Sequence, residues 1–232
     1  MESKLSIIIA VLDSHEVVKR QLLHFERMQF GNDVEFIIVD DGSDPSLNDW
    51  LEKNMQVPVL LNYRLAQTDD NRKWSQPCAR NYGAAISNSQ KLLMTDIDHI
   101  LSKESIEFCL ESDEDKVMFP RQWGILDEKG GLNQSHHVLN KYGLPKSLYE
   151  ERGINGGMHH NTFMIKKSIF EKLGGYDESF CGKYGGDDTN FSNRYSDLHK
   201  KGEAKRHVLG PPIYVFPDPN RDVLKIFHSL RR

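Results

Sequence analysis

The chain is poor in cysteine and contains no long apolar run. Its 232 residues include three cysteines, Cys78, Cys109 and Cys181, an odd number without C-x-x-C spacing. Such a set indicates neither a disulfide framework nor a structural zinc site, so a reducing, cytoplasmic compartment is the simplest expectation. The apolar stretch near the N-terminus, residues 5–11, is too short for a membrane-spanning helix and lacks the cleavage region of a signal peptide. We therefore expect no integral membrane segment.

An excess of basic residues is also absent. Lys and Arg total 30 against 34 Asp and Glu, which gives a net charge of -4 with neutral histidines. Proteins that bind nucleic acid usually carry a basic face, so we expect no nucleic-acid partner. Apolar residues at 38% and charged residues at 28% are typical of a soluble globular protein, and the length is sufficient for one large α/β domain.

The first hundred residues alternate strand-like apolar runs with helix-like patterns. We predict strands over residues 5–11, 35–39 and 57–63 and one that ends at Asp96-Ile97-Asp98, helices over 16–28, 45–53 and 77–89, and a mobile loop over 64–75. Strand–helix–strand units of this length form parallel sheets with right-handed crossovers. Because the carboxyl ends of parallel strands meet at one edge, the polar residues that end each strand are expected there together.

The second half is less regular. We predict helices over residues 102–110, 167–173 and 189–200, strands over 116–120 and 162–165, and a long irregular segment over 121–153. No internal repeat, low-complexity tract or linker divides the chain. We therefore treat residues 1–232 as a single domain with two functional halves.

Two acids follow the predicted strand that ends at Asp96. Residues two apart on a strand point to the same side, so the carboxylates of Asp96 and Asp98 can reach one cation or one sugar nucleotide together. Hard divalent cations prefer such oxygen ligands. An isolated D-x-D is more often an ordinary acidic turn, so its context decides between the two interpretations.

That context is a set of six fragments in sequence order. They are the strand Ser6–Ala10, then Val39–Ser43, Ala79–Ala84, Thr95–Asp98, Leu173–Glu178 and Gly186–Asp188. In this order the chain resembles inverting family 2 glycosyltransferases of the GT-A fold, over about residues 6–194. The resemblance implies an α/β fold with a Rossmann-like, mainly parallel twisted sheet flanked by helices. It also implies a metal-dependent hexosyltransferase of polysaccharide biosynthesis, with residues 1–100 binding the nucleotide sugar and residues 101–232 binding the acceptor.

The resemblance implies a nucleotide site at the ends of the first strands. Asp41 is similar to the acid that reads the uracil edge, and a carboxylate can accept the imide N–H. Ala10, Val11 and Asp13 correspond to the rest of the base and ribose pocket. Arg80 corresponds to a cation near the nucleotide or its phosphates, where a guanidinium makes paired hydrogen bonds.

The resemblance also implies a metal site and a catalytic base. Asp98 would bind Mn²⁺ or Mg²⁺ bridging the diphosphate, which offsets the charge of the leaving group, and Asp96 would contact the ribose, the sugar or the metal. His228 corresponds to a late histidine that completes the metal site in some relatives. Asp188 corresponds to the base that deprotonates the acceptor hydroxyl. Because neighbouring residues at a helix start point in different directions, we expect Asp187 to cap the following helix or to contact the acceptor.

Several residues keep two interpretations. His159 and His160 either line the sugar pocket or follow a glycine-permitted turn as half-exposed side chains. Trp74 and Trp123 either stack on sugar rings or pack structurally. His136-His137 lies in the predicted irregular segment, and we expect it at the surface.

Three functions are consistent with the acids. A glycosyltransferase using a UDP-hexose or UDP-N-acetylhexosamine and a carbohydrate or glycoconjugate acceptor explains the acids after the fourth strand and in Gly186-Asp187-Asp188. A sugar nucleotidyltransferase has a similar sheet, but it needs a Gly-rich basic phosphate loop, and residues 10–20 contain no glycine. A non-catalytic carbohydrate-binding protein would not need Asp188. The transferase is therefore the favoured prediction.

Overall fold

A computed structural model describes residues 3–56, 61–70, 72, 74–141 and 158–215. The strands are β1 (Leu5–Val11), β2 (Val34–Asp40), β3 (Tyr63–Gln67), β4 (Lys91–Asp96), β5 (His99–Ile100), β6 (Lys116–Met118), β7 (Arg121–Trp123), β8 (Ile125–Leu126), β9 (Leu132–Asn133), β10 (Phe163–Lys166), β11 (Val208–Leu209) and β12 (Ile213–Val215). The helices are α1 (His15–Met28), α2 (Leu47–Asn54), α3 (Gln76–Ile86), α4 (Lys103–Glu111), α5 (His136–Lys141), α6 (Lys167–Lys172) and α7 (Asp187–Lys200). Short 3-10 turns occur at Gly31–Asp33 and Glu178–Phe180.

A seven-stranded sheet with the order β11-β6-β10-β4-β1-β2-β3 forms the centre of the molecule. Strand β1 is parallel to β2 and β4, β2 is parallel to β3, and β11 is parallel to β6. Strand β10 is the exception, because it runs antiparallel to both β4 and β6. The predicted α/β class with a mainly parallel sheet flanked by helices in a single domain is confirmed.

Both faces of the sheet are covered, which explains why its central strands are continuous apolar runs. Every residue of β1 and β2 is buried. Ile7 and Ile9 face one apolar cluster, which contains residues of α1, α2 and α4, whereas Ile8 faces a second cluster with α3 and α7. Helix α3 packs very closely on the sheet at Gly83, where an added Cβ would lie 2.5 Å from Ile8 Cγ2. A side chain there would push α3 away from the sheet.

The first half follows the predicted order, with one error. The strand predicted over residues 57–63 is misplaced, because β3 begins at Tyr63 and extends to Gln67, into the stretch predicted as a mobile loop. Residues 57–60 lie outside the described residues. Strand β3 is an edge strand that pairs with β2, and Arg64 fastens it by donating to Glu35 Oε2 at 2.7 Å and to the Ile86 carbonyl at 2.7 Å. Cross-strand pairing therefore decides the position of β3 more than its own apolar content does.

The second half differs more from the prediction. The irregular segment expected over residues 121–153 contains three short strands and α5 in its described part, which ends at residue 141. Strands β7, β12 and β5 form a separate three-stranded sheet, and β8 pairs with β9. Helix α7 begins at Asp187, two residues before the predicted start. None of the helices among the described residues has the length and apolar character needed to cross a membrane.

Candidate active site

The carboxyl ends of three parallel strands bring the predicted acids to one edge of the sheet. In the strand register Ala10 of β1 lies beside Asp96 of β4, and Val11 lies beside Asp40 of β2. Asp41 follows directly and donates its backbone N–H to the Val11 carbonyl at 2.8 Å. This edge is where open α/β sheets bind their ligands. The strand ends therefore place the predicted nucleotide residues next to one another.

Asp41 is a buried carboxylate with two neutral hydrogen-bond donors. Its Oδ2 accepts from the backbone N–H of Ser75 at 2.7 Å, and its Oδ1 accepts from Thr68 Oγ1 at 3.2 Å. Burial raises the pKa of Asp41 to about 6, although both hydrogen bonds act to lower it. A carboxylate offers about four lone-pair positions. Asp41 therefore retains acceptor capacity for an N–H group of a ligand.

The turn after β2 is shaped by a second acid that the sequence did not single out. Asp40 accepts from the backbone N–H groups of Ser43 at 3.0 Å and Leu47 at 2.9 Å, so its role is structural. Asp13 is exposed, with φ of 48°, and exchanges hydrogen bonds with this turn, because its N–H donates to Ser43 Oγ and its Oδ1 accepts from Asp44 N. Ala10 and Val11 are buried in the sheet. Ala10 and Val11 therefore contribute their backbone to the edge of the sheet, whereas Asp13 contributes an exposed side chain.

A pocket of about 510 Å³ opens beside Asp41, at the end of β3. It is lined by Gln67, Thr68, Asp69, Asp70, Cys78, Tyr82 and Glu178. Thr68 connects this pocket to Asp41 through the hydrogen bond described above. Three of the lining residues are acids, so the pocket is better suited to neutral or N–H-donating groups than to phosphates.

Arg80 is the centre of a buried polar cluster rather than an exposed cation. Its side chain is fully buried and forms an ion pair with Asp96 Oδ1, while Nη1 donates to Asn161 Oδ1 at 2.7 Å and lies 3.7 Å from Asp187 Oδ2. The guanidinium also stands 5.1 Å from the centre of the Tyr176 ring. In this structure Arg80 therefore joins the end of β4 to the start of α7.

The neighbouring acids Asp187 and Asp188 have different surroundings. Asp187 is 6% exposed, and burial raises the pKa of its carboxyl against the opposing effect of Arg80. Among the described residues nothing donates a hydrogen bond to Asp187 Oδ2. Asp188 is partly exposed, and its Oδ1 accepts from the N–H and the hydroxyl of Thr189. Gly186 occupies the N-cap position, so the prediction of Asp187 as the capping residue is wrong. Both carboxylates nevertheless accept hydrogen bonds from backbone N–H groups of the first turn of α7.

Asp96 also lies within reach of two histidines. Single ligand atoms of Asp96, His99 and His159 all lie within 4.8 Å of one another, and His159 Nδ1 is 3.4 Å from Asp96 Oδ2. Burial lowers the pKa of His159, which keeps its imidazole in the neutral form that binds metals. One carboxylate and two imidazoles form a set that fits Mn²⁺ better than Mg²⁺, which prefers oxygen ligands alone.

Asp98 lies in the turn between β4 and β5, close to the same group. Both Asp96 and Asp98 act electrostatically on Arg121 and on His159, so the two acids face a common space. His99 was missed by the sequence prediction, although it directly follows the D-x-D residues, and that adjacency was a usable signal. His228 lies outside the described residues.

The remaining predicted residues divide between site and surface. His160 is exposed and its Nδ1 lies 3.0 Å from Ser192 Oγ of α7. Trp74 packs against the Tyr184 ring at 4.8 Å, and Trp123 packs on the larger apolar cluster, so both have structural contacts. His136 and His137 are exposed at the start of α5, as expected.

Comparison with known proteins agrees with this arrangement. Residues 6–174 match the family described as Glycosyl transferase family 2. The chain therefore belongs to glycosyl transferase family 2, and the sequence-based recognition of the GT-A class is confirmed. Among curated proteins none matches the chain significantly.

Similar solved structures support the fold. S. aureus TarS residues 1–349 superimpose with a TM-score of 0.60 at 18% identity, covering 97% of this chain and 64% of TarS 1–349. The same protein in complex with UDP-GlcNAc gives a TM-score of 0.61 at 17% identity, covering 93% and 59%. The Pyrobaculum calidifontis mannosyltransferase PcManGT in complex with GDP-Man and Mn²⁺ gives 0.60 at 15% identity, covering 99% and 61%. The chain thus spans less than two thirds of each of these proteins.

Proposed function

We propose that this chain transfers a sugar from a UDP-hexose or UDP-N-acetylhexosamine to a hydroxyl of a carbohydrate or glycoconjugate acceptor, with inversion and with the help of a divalent metal. The observation that carries the proposal is the assembly of Asp41, Asp96 and Asp187-Asp188 at one edge of a family 2 fold. TarS binds UDP-GlcNAc and PcManGT binds GDP-Man with Mn²⁺, so nucleotide sugars occupy similar folds.

Asp41 is the proposed contact for the base. Its two oxygens each accept one hydrogen bond in the structure and retain further acceptor capacity. The imide N–H of uracil needs one such acceptor, whereas the adjacent N–H groups of guanine would need both oxygens. Asp13, on the turn tied to Asp44, and the β1 end at Ala10 and Val11 complete the base and ribose pocket in this proposal.

Asp98, Asp96, His99 and His159 would hold Mn²⁺, and His228 remains a proposed further ligand. The metal would supply positive charge for the departing nucleoside diphosphate. The residues themselves shape this site: Arg80 occupies Asp96 Oδ1 and leaves Oδ2 directed toward His159. Arg80 thereby acts in this proposal as a positioning residue for Asp96 more than as a direct phosphate contact.

Asp188 is the proposed base. Partial exposure lets an acceptor hydroxyl reach its carboxylate, whereas Asp187 is buried against Arg80. Both acids lie in the first turn of α7, where the backbone N–H groups of the helix face a negative charge. Asp188 would take the hydroxyl proton as the acceptor oxygen attacks the anomeric carbon from the side opposite the diphosphate, which inverts that centre.

A panel of nucleotide sugars tests the function directly. Hydrolysis or transfer would be measured for UDP-, GDP-, TDP- and CMP-sugars with Mn²⁺, with Mg²⁺ and with EDTA. We expect turnover with a UDP-hexose or UDP-N-acetylhexosamine and Mn²⁺. Turnover restricted to GDP-sugars would refute the donor, and full activity in EDTA would refute the metal.

Two variants test the site by calorimetry. Asp98→Ala should abolish the metal-dependent part of UDP binding while the fold stays intact, and Asp41→Ala should weaken binding of uridine even without metal. UDP affinity unchanged by both Asp98→Ala and EDTA would remove Asp98 from the metal site. Uridine affinity unchanged in Asp41→Ala would remove Asp41 from the base pocket.

A further inference from the structure

Two cysteines that are distant in sequence meet beside the candidate site. Cys78 and Cys181 are 103 positions apart, yet their Sγ atoms are 2.6 Å from each other. Cys78 lies in the first turn of α3, and Cys181 follows the 3-10 turn Glu178–Phe180. The contact therefore joins the helix that carries Arg80 to the segment that leads into Asp187 and Asp188.

The separation of the sulfurs favours a covalent bond over a shared metal. A disulfide has an S–S length of about 2.05 Å. Two thiolates on one tetrahedral Zn²⁺, with Zn–S of about 2.3 Å, stand about 3.7 Å apart. Both cysteines are free in this structure, and their separation lies between these two values, so little movement is needed to bring the sulfurs to bonding distance.

Asp70, the carboxylate that lies with the two sulfurs, already forms an ion pair with Arg72. Asp70 lies with Cys78 and Cys181 in a cluster whose ligand atoms are within 4.8 Å of one another. However, Arg72 Nε donates to both oxygens of Asp70, at 2.9 and 3.1 Å, and Arg72 Nη2 lies 3.4 Å from Cys78 Sγ. Arg72 therefore already contacts the carboxylate and one of the two sulfurs of this cluster.

We propose that Cys78 and Cys181 form a redox-controlled disulfide that fastens the turn Gly182–Gly186 to the start of α3. In the forming step the two thiols lose two protons and two electrons to a small-molecule disulfide such as oxidised glutathione. The oxidant is cleaved to two thiols, and the protein gains one S–S bond. The bond itself does not depend on the proposed transfer activity.

The turn is exposed and rich in glycine. All five of its residues are exposed, and Gly182, Gly185 and Gly186 have φ values of 84°, 83° and 92° that favour glycine. The turn is held by the hydrogen bond from Gly182 N to the Trp74 carbonyl, by Lys183 N to the Phe180 carbonyl, and by the Trp74–Tyr184 ring contact. A covalent bond at Cys181 would therefore limit the motion of the segment that ends at Asp187.

A redox reagent can reach the pair through Cys78, whereas Cys181 is buried. Cys78 lines the pocket beside Asp41, whereas the third cysteine, Cys109, is fully buried in α4. Burial, followed by the contact with Cys181, raises the pKa of the Cys78 thiol. Because the thiolate is the attacking species, oxidation at neutral pH should be slow, and the experiment must allow time for equilibrium.

Thiol counting after equilibration in glutathione buffers tests the bond. The full chain is denatured, alkylated and mapped by mass spectrometry. We expect three alkylated cysteines in reduced glutathione but one, Cys109, in oxidised glutathione, with a Cys78–Cys181 peptide. Cys109→Ala is the control that keeps the cross-link, and Cys78→Ser should leave two thiols under both conditions. Three thiols under oxidising conditions, glutathione adducts in place of the cross-link, or Zn²⁺ retained by the reduced protein and lost in Cys78→Ser would overturn the proposal.

Hydrogen exchange tests the effect on the turn. Amides of residues 182–188 should exchange roughly tenfold more slowly in the oxidised than in the reduced protein, because the bond suppresses local opening. Cys78→Ser should resemble the reduced protein in both buffers. Equal exchange in oxidised and reduced wild-type protein would refute the anchoring role even if the bond forms.

Discussion

The surroundings of Asp41 and of Asp187 hold a buried carboxylate in two different ways. Burial raises the pKa of both groups. Asp41 accepts hydrogen bonds from two neutral donors, a backbone N–H and a hydroxyl. Asp187 has, besides backbone N–H groups of its own turn, one cation nearby, Arg80, which it shares with Asp96. The first acid is stabilised locally, whereas the second depends on a charge held by another helix.

Because of this difference, substitutions around Asp41 and around Asp187 should reduce the stability of the fold by different amounts. A hydrogen bond from a neutral group contributes about 1 kcal/mol to stability. Loss of the cation from a buried charge cluster costs about 3–5 kcal/mol, because uncompensated charge remains inside the protein. Changes around Asp187 should therefore affect the whole fold, and changes around Asp41 should affect mainly its own titration.

Removal of Arg80 is expected to have the largest effect. Arg80→Met removes the cation that pairs with the partly buried Asp96 and the buried Asp187, so the free energy of unfolding should fall by about 3–5 kcal/mol in urea titrations. Lys4→Met is the matched control, because the Lys4–Asp33 pair is exposed and should contribute less than about 1 kcal/mol. If Arg80→Met does not fold, Arg80→Lys retains the charge and provides the measurement. A loss as small as that of Lys4→Met would mean that the cluster does not depend on Arg80.

The two acids of α7 should differ in turnover. Asp188→Asn is expected to keep UDP and metal binding but to lose transfer by ~10²-fold or more, the range for removal of a general base. Asp187→Asn should act mainly on acceptor binding or stability, since its side chain is directed to Arg80. Turnover and UDP affinity are measured for both. Near-normal turnover in Asp188→Asn with an inactive Asp187→Asn would move the base to Asp187.

The pH dependence of stability isolates Asp41. Its pKa is about 6 in the folded protein against 3.8 for an unperturbed Asp side chain, so between these values the folded state binds more protons than the unfolded state. Stability from this group therefore falls as pH rises from 3.8 to about 6, by up to about 3 kcal/mol, and is constant outside that window. The difference in unfolding free energy between wild type and Asp41→Asn, measured across this range, should show that slope. A difference that does not vary with pH would contradict the raised pKa.

The smallest effect is expected at Thr68. Thr68→Val removes one of the two donors to Asp41 with little change in shape, so stability above pH 6 should fall by ~1 kcal/mol or less. The pKa of Asp41 should rise further, because the lost hydrogen bond favours the ionised form. An NMR titration of the Asp41 carboxyl would measure this shift. An unchanged pKa would show that Ser75 N–H alone sets the titration.

Sequence patterns predicted the parts of the structure that are local. Strands β1, β2 and β4 are buried apolar runs that end at Val11, Asp40 and Asp96. An apolar run that stops at polar residues, in or just after the strand, predicts both the strand and the position of its carboxyl end. Asp41 and Asp96 were therefore predictable positions at the sheet edge. The roles proposed for these two acids come from the resemblance to a family, and they stay proposals.

Long-range contacts were not predictable in the same way. Nothing in the helical pattern of residues 77–89 shows that Arg80 is fully buried, because its partners come from the end of β4 and from the start of α7. The Cys78–Cys181 contact likewise depends on the folded arrangement. The number and spacing of the cysteines in the sequence therefore gave no indication of it. Strand β3 was misplaced because its position depends on pairing with β2.

The antiparallel strand β10 has a consequence for the order of folding. It enters the sheet between β4 and β6, pairing Phe163 with both Met94 and Met118, although it follows both strands in the chain by many residues. The parallel pairing of β1 with β4 spans an even longer stretch of chain, from Ser6 to Leu92, so both pairings close long loops, which is entropically unfavourable. Strands β6 and β11 are joined to β4 and the strands beyond it through β10. We therefore expect β6 and β11 to enter the sheet no earlier than β10 does.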